Sequence, residues 1–159
     1  MPRQQKQEVN RLIFDTYIAV VQNSVGSKLF RNFYAKVDGK KKDVTRNGEL
    51  SCAFHTSSIL SLFKLVKGIH GTVNSTVKDL QKSGWKSVKK PKIGSIIVWE
   101  PIGFKNTGIH KHIGFFIGNN MAISNSDKKG YPVRHHLTFG TKKTRRKIET
   151  VLWNDKLKN

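Results

Sequence analysis

The sequence predicts an α+β fold in which helices come first along the chain and an antiparallel sheet follows. Apolar residues recur with helical spacing in the first half, at about 7–25 and at 52–66. The second half instead contains short β-branched and aromatic runs separated by glycine and asparagine turns. No repeat or change in composition marks a domain boundary. We therefore expect a single domain, 1–159, with its core region at about 48–139.

Residues 7–25 form the N-terminal helical segment of this prediction. One stripe of that helix collects the residues Val9, Leu12, Ile13, Thr16, Val20 and Val21. A stripe of this kind packs on a core, and Gly26 marks its expected end. Residues 29–37 then fit a strand, and 38–48 fit a charged loop bracketed by glycines.

The stretch at 48–60, GELSCAFHTSSIL, leads into the second predicted helix. From Cys52 to Val66 apolar residues occur on nearly all sides, so we expect this helix to be central and buried. Ser51 is the candidate N-cap. Cys52, the only cysteine of the chain, then lies in the first turn, where unpaired amides and the helix dipole favour an anion.

The predicted sheet occupies the second half of the chain, after a short helix capped by Asn74 or Ser75. Its expected strands are 93–99, 112–117, 121–125 and 133–139. Trp85 and Trp99 are expected to anchor the core. The last segment, 144–153, could be helix or strand, and the spacing of its apolar residues slightly favours a helix.

The formal net charge is +20, from 30 Lys and Arg against 10 Asp and Glu. Such a surface attracts polyanions, so nucleic acid, anionic lipid or an acidic cell-wall polymer are expected partners. No apolar run approaches the ~18 residues of a membrane span, and the apolar stretch behind the basic N-terminus is too short for a signal peptide. We therefore expect a soluble protein, either cytoplasmic or released to act on the cell wall.

A cysteine can act as a nucleophile when a base removes its proton and a third group orients the base. Six histidines are available: His55, His70, His110, His112, His135 and His136. His112 is favoured, because it opens a predicted strand and the small Gly114 leaves room beside it on the same strand face. His55 shares a helix with Cys52, which is an unusual place for the base, and His110 falls in a predicted loop.

Three segments of the chain, GELSCAFHTSSIL, KIGSIIVWE and HIGFFIGNNMAISNS, resemble the NlpC-type cell-wall cysteine peptidases and, more distantly, the CHAP amidases. That family places a cysteine at the start of a central helix, facing a histidine that opens a strand in an H-x-G pattern. The resemblance therefore implies a papain-like NlpC-type fold, with Cys52 as nucleophile and His112 as general base. The family's Asp-Cys-Ser-Gly signature is replaced here by Leu50-Ser51-Cys52-Ala53.

The family's third polar residue lies on the next strand and is often a second histidine. The shared G-N-N turn places Ser124 at that position, with Asn125 beside it. We expect Asn125 to orient His112, because an amide oxygen can accept the imidazole N–H, whereas serine is a weak orienter. Ser124 and His135 are the alternatives.

The resemblance implies hydrolysis of an amide bond in a peptide, and peptidoglycan stem peptides are the expected substrate. The helix N-terminus and a protonated His112 are expected to lower the thiol pKa of Cys52 below its usual ~8.5. The backbone N–H of Cys52 should hold the oxyanion, and His112 should protonate the leaving amine. We expect no cofactor and no metal.

Two other functions compete with this one. The first is nucleic-acid binding without catalysis, through the basic residues Lys128, Lys129, Arg134, Lys142, Lys143, Arg145, Arg146 and Lys147. Only Tyr131 and Phe139 interleave with them, which is thin for base stacking, and no nucleic-acid-binding motif is present. The second is a papain-like peptidase acting on an intracellular protein or isopeptide bond. The lack of a recognisable signal peptide favours this alternative.

Overall fold

The computed structural model of the chain describes residues 6–140, 142–143 and 145–158. Three helices lie in the first half of the chain: α1 at Ile13–Asn23, α2 at Cys52–Leu62 and α3 at Val73–Lys82. Strands β1, Tyr34–Val37, and β2, Lys40–Asp43, form a separate antiparallel hairpin between α1 and α2. None of the helices in these ranges has the length and apolarity needed to cross a membrane.

One six-stranded antiparallel sheet follows the helices, which confirms the α+β prediction. Its strands are β3 (Lys86–Ser87), β4 (Ile96–Phe104), β5 (Gly108–Gly118), β6 (Met121–Ser126), β7 (Tyr131–His136) and β8 (Ile148–Trp153). Their order across the sheet is β3-β8-β4-β5-β6-β7, so sequential neighbours pair from β4 to β7 and the last strand returns to the far side.

Side chains alternate between the two faces of the sheet, and each face has its own apolar cluster. One cluster joins the sheet to the helices through Ile96, Val98, Ile113, Phe115, Ile123 and Leu152. Helix α2 packs on β5 and β6 over this face. The other cluster contains Ile97, Trp99, Phe116, Ala122, Leu137 and Val151. Helix α2 is thus central, as its apolar composition predicts.

Both predicted tryptophan anchors are buried, and each finds a partner for its indole N–H. Trp85 donates to the carbonyl of Leu65 at 2.8 Å, and Trp99 donates to the carbonyl of Leu137 at 2.7 Å. A buried indole needs such an acceptor, because an unpaired buried donor costs free energy.

Several element boundaries differ from the sequence-based expectation. Helix α1 begins at Ile13, well after residue 7. Of the predicted segment 144–153, residue 144 lies outside the described residues, and 145–153 form no helix. They contribute β8, which pairs with β4 and β3, because the sheet supplies backbone partners on both sides. Ser51 precedes α2 but its hydroxyl does not cap the helix; it donates to the carbonyl of Phe30.

Asp79 on α3 ties that helix to the loop that follows α2. Its carboxylate accepts the backbone N–H groups of Lys67 and Gly68, each at 3.0 Å, the Ser83 hydroxyl at 2.9 Å and His70 Nε2 at 2.6 Å. Burial raises the pKa of this carboxyl, but the hydrogen bonds outweigh burial and lower it to about 2. The folded protein therefore favours the ionised form.

We predict that Asp79→Asn lowers the free energy of unfolding at pH 7 by about 2 kcal/mol. Because the folded-state pKa is lowered, this stability is present above the unfolded pKa and disappears as pH falls through about 2. Urea unfolding of both proteins at neutral and acidic pH measures the difference. Asp38→Asn, in the exposed β1–β2 turn, is the matched control; an equal effect of the two substitutions would contradict the assignment.

Candidate active site

Cys52 is the first residue of α2, and its thiol is partly buried. Burial raises the thiol pKa, and the backbone N–H groups of Ile113, Ala53 and Cys52, together with the charge of Arg146, offset this only in part. The expected lowering of this pKa is therefore wrong. The helix N-terminus does act in the predicted direction, but the desolvation of the sulfur is the larger effect.

His112 lies on β5 directly opposite Trp99 of β4. Its ring contacts the Trp99 ring, with centroids 5.4 Å apart, and its Nε2 lies 2.8 Å from Ser124 Oγ. Burial lowers the pKa of His112 well below its usual value, and the charges of Arg146, His135 and His55 lower it further. The imidazole is therefore neutral at physiological pH, and so is the thiol.

A chain of hydrogen bonds defines the tautomer of His112. His135 Nδ1 lies 2.8 Å from the backbone carbonyl of His136, so this nitrogen must carry the proton. In the neutral ring, His135 Nε2 is then an acceptor, and the Ser124 hydroxyl donates to it at 2.7 Å. Ser124 Oγ can consequently only accept from His112 Nε2. The His112 proton is placed on Nε2, and Nδ1 keeps its lone pair.

We call His112, Ser124 and His135 the relay. The aromatic residues Trp99 and Phe139 enclose it: His135 stacks on Phe139 with ring centroids 4.1 Å apart. Because these rings pack against the imidazoles, the two hydrogen bonds of Ser124 are partly screened from water, which strengthens them. The sequence did not distinguish His135 from the surface histidines, since its partner lies on a neighbouring strand.

Asn125 does not contact His112, contrary to the preference stated above. Successive strand residues point to opposite faces, so when Ser124 faces the relay Asn125 faces the helices. Its Nδ2 donates to the carbonyl of Gly48 at 2.7 Å and so holds the loop that leads into α2. Its buried Oδ1 has no hydrogen-bond partner among the described residues.

Gly114 is required for the close approach of Ser124, as its small size suggests. A Cβ atom built on Gly114 would lie 2.6 Å from Ser124 Cβ and 2.6 Å from the carbonyl oxygen of Ile123. Both distances are far shorter than van der Waals contact allows. A side chain at this position would push β6 away and break the hydrogen bond between His112 and Ser124.

Cys52 lies where two cavities meet. The first, of about 440 Å³, is lined by both Cys52 and His112 and also by Asn125 and Arg146. The second, of about 600 Å³, is lined by Cys52 and Ala53 but not by His112. Cys52 and His112 therefore both line the first cavity, although no hydrogen bond joins their side chains in the described part of the chain. Cys52 also lines the second cavity, so the two cavities meet beside this residue.

Arg146 is the functional candidate that the sequence does not reveal. The sequence places it in a run of basic residues expected at the surface, yet it is only 7% exposed. Its Nε donates to the carbonyl of Glu100 at 2.8 Å, and its Nη2 donates to the carbonyl of His110 at 2.8 Å. These bonds hold the guanidinium in the wall of the cavity and remove it from the proposed nucleic-acid surface. No local pattern marks a single arginine within a basic run as buried.

The remaining histidines near the site have other contacts. His55 is buried between Phe30 and Phe115 and is hydrogen-bonded to Ser24, and burial lowers its pKa to about 3. It is a neutral core residue, which agrees with its low rank as a base. His110 lies on β5, where a loop was expected, and its Nε2 contacts the carbonyl of Thr107 at 2.5 Å.

Comparison with known proteins adds no assignment: no family model and no curated protein matches this chain. The NlpC-type resemblance therefore stays a prediction that rests on the quoted segments.

We predict that alkylation of Cys52 by iodoacetamide shows an inflection at a pH above that of the unfolded protein, which should titrate near ~8.5. The thiol pKa is raised in the folded protein, so the thiolate appears only at higher pH. Because Cys52 is the only cysteine, intact mass measures the rate in native and urea-unfolded protein directly. A native rate that has already reached its plateau at pH 7 would mean a thiolate–imidazolium pair and would contradict this prediction.

Proposed function

We propose that this protein is a cysteine amidohydrolase of NlpC-type, papain-like architecture that cleaves an amide bond in a peptide. Cys52 is the nucleophile, His112 the general base, and Ser124 and His135 are positioning residues. Two observations support the proposal: Cys52 and His112 line the same cavity, and the relay leaves His112 Nδ1 without a proton, as an acceptor. Peptidoglycan stem peptides are the substrate class that the sequence resemblance implies.

The first step starts from a neutral thiol and a neutral imidazole. As sulfur attacks the substrate carbonyl, its proton moves to His112 Nδ1, so no free thiolate has to accumulate in the buried site. The carbonyl oxygen becomes an oxyanion, for which the unpaired backbone N–H groups in the first turn of α2 are the nearest donors. The C–S bond forms as the carbonyl π bond opens.

The second step expels the amine. Burial and the charge of Arg146 destabilise a protonated His112, so the imidazolium readily gives its proton to the leaving nitrogen. Water then attacks the thioester with His112 again acting as base, which releases the acid and restores the thiol. Throughout, His112 Nε2 keeps its proton and donates it to Ser124, so Nδ1 is the nitrogen that takes up and returns the reacting proton.

We predict that Cys52→Ala and His112→Ala each abolish amide cleavage while the circular dichroism spectrum is retained. Mass spectrometry of peptide libraries and of muropeptide mixtures incubated with the protein measures cleavage. His136→Ala is the matched control, because only its backbone carbonyl serves the relay. Undiminished cleavage by either of the first two variants would exclude the mechanism.

A second prediction separates Ser124 from Asn125. Ser124→Ala should lower kcat by about 100-fold or more with little change in KM, because His112 loses the acceptor that defines its tautomer. Asn125→Ala should instead lower thermal stability, because the Gly48 carbonyl loses its donor. Steady-state kinetics and thermal unfolding of both variants make the comparison. If the kcat loss falls on Asn125→Ala alone, the relay is not the orienting device.

A further inference from the structure

The two cavities beside Cys52 differ in charge. The first, here called the cationic lobe, is lined by Lys111, Lys128, Lys143, Arg145 and Arg146, against only two carboxylates, Glu49 and Asp127. The second, here called the neutral lobe, shares with the first only one cation, Lys111, which is paired with Glu149. The rest of its lining is largely small and apolar, with side chains such as Val44, Ala53, Val73 and Ile109. A ligand lying across the thiol would thus meet positive charge on one side and apolar surface on the other.

Arg146 adds a buried positive group to the cationic lobe, whose other cations are more exposed. Two of its N–H groups are used on backbone carbonyls, and within the described ranges no carboxylate forms an ion pair with it. The charges of Glu100 and Asp127 act on the guanidinium without forming an ion pair with it in the described ranges, and burial still disfavours its charge. Its planar donors match the geometry of a carboxylate.

Asn125 supplies a second unpaired group in the same lobe. It is only 3% exposed, it lines the lobe, and its Oδ1 has no hydrogen-bond partner in the described part of the chain. A buried acceptor without a donor is rare in folded proteins and is usually explained by a ligand or a water. A peptide N–H next to a carboxylate would satisfy Asn125 and Arg146 together.

The position of His112 indicates which half of a substrate lies in each lobe. His112 must protonate the leaving nitrogen, and it lines the cationic lobe but not the neutral one. The leaving amine therefore lies in the cationic lobe, and the acyl half lies in the neutral lobe.

We propose that the cationic lobe binds a carboxylate on the leaving-amine half of the substrate, and that Arg146 is the residue that selects it. This assignment of the halves rests on the proposed function. The preferred substrate is accordingly a peptide with a small apolar residue before the scissile amide and a free carboxylate after it.

Protection of Cys52 from iodoacetamide tests the proposal without requiring turnover. Three probes are compared. N-acetyl-alanyl-alanine carries a carboxylate after the central amide, and N-succinyl-alanyl-alaninamide carries one before it. N-acetyl-alanyl-alaninamide has no carboxylate. The first should give half-maximal protection at a concentration about tenfold lower than the other two. Equal protection by all three, stronger protection by the succinyl probe, or no protection at millimolar concentration would overturn the proposal.

Variants assign the preference to Arg146. Arg146→Gln should remove the advantage of the acid over the amide, whereas Lys147→Gln, the same charge change at the next, exposed position, should leave it intact. Should Arg146→Gln fail to fold, Arg146→Lys keeps the charge but not the planar fork and should lose most of the preference. A preference that survives in a folded Arg146 variant would contradict the role of this residue.

The two proposals fail in different ways. If the acid protects Cys52 selectively but no peptide is ever cleaved, the carboxylate site stands and the hydrolase function fails. If peptides are cleaved with no preference for a carboxylate after the scissile bond, the hydrolase function stands and the role of Arg146 fails.

Discussion

The hydrogen bond between Ser124 and His135 is the interaction on which the account of the site depends. A serine alone orients an imidazole poorly, because its hydroxyl can donate or accept with equal ease. Here the backbone carbonyl of His136 fixes the proton of His135, His135 then fixes the direction of the Ser124 hydroxyl, and Ser124 fixes the proton of His112. A main-chain group two strands from His112 thus decides which nitrogen of the candidate base is reactive.

The surroundings of the relay shape its chemistry as well as its geometry. Aromatic packing and the buried charge of Arg146 disfavour a second positive charge on His112, and burial disfavours a negative charge on Cys52. A site with both groups neutral avoids holding a separated ion pair in a low-dielectric medium. In the proposed mechanism, charge then develops only while substrate is bound, when the backbone amides around the sulfur can stabilise it.

Local patterns were sufficient for the elements that position the site. The apolar run behind Cys52 predicted the buried helix α2, and the H-x-G strand predicted β5 with His112 next to a necessary glycine. Local sequence patterns do not show which strands distant in sequence pair with each other. The apolar residues of β8 have spacings that also fit a helix, and only the free edge of β4 decides for a strand.

The same limit explains the errors within the site. Choosing Asn125 over Ser124 followed from their intrinsic chemistry, but the serine gains its strength from His135 on the neighbouring strand. The thiol pKa was expected from the helix N-terminus alone, whereas the sheet that covers Cys52 adds the larger effect of burial. Arg146 is set apart from the neighbouring basic residues only by the backbone carbonyls of β4 and β5 that hold its guanidinium, and these are distant in sequence.

The tautomer of His112 is the most direct test of this account. Long-range proton–nitrogen correlation NMR of the ¹⁵N-histidine-labelled protein near neutral pH distinguishes a protonated ring nitrogen from one with a lone pair. The role proposed for the relay predicts that His112 is neutral, with the proton on Nε2 and an unprotonated Nδ1. A His112 that carries its proton on Nδ1, or one that is an imidazolium at that pH, would contradict it.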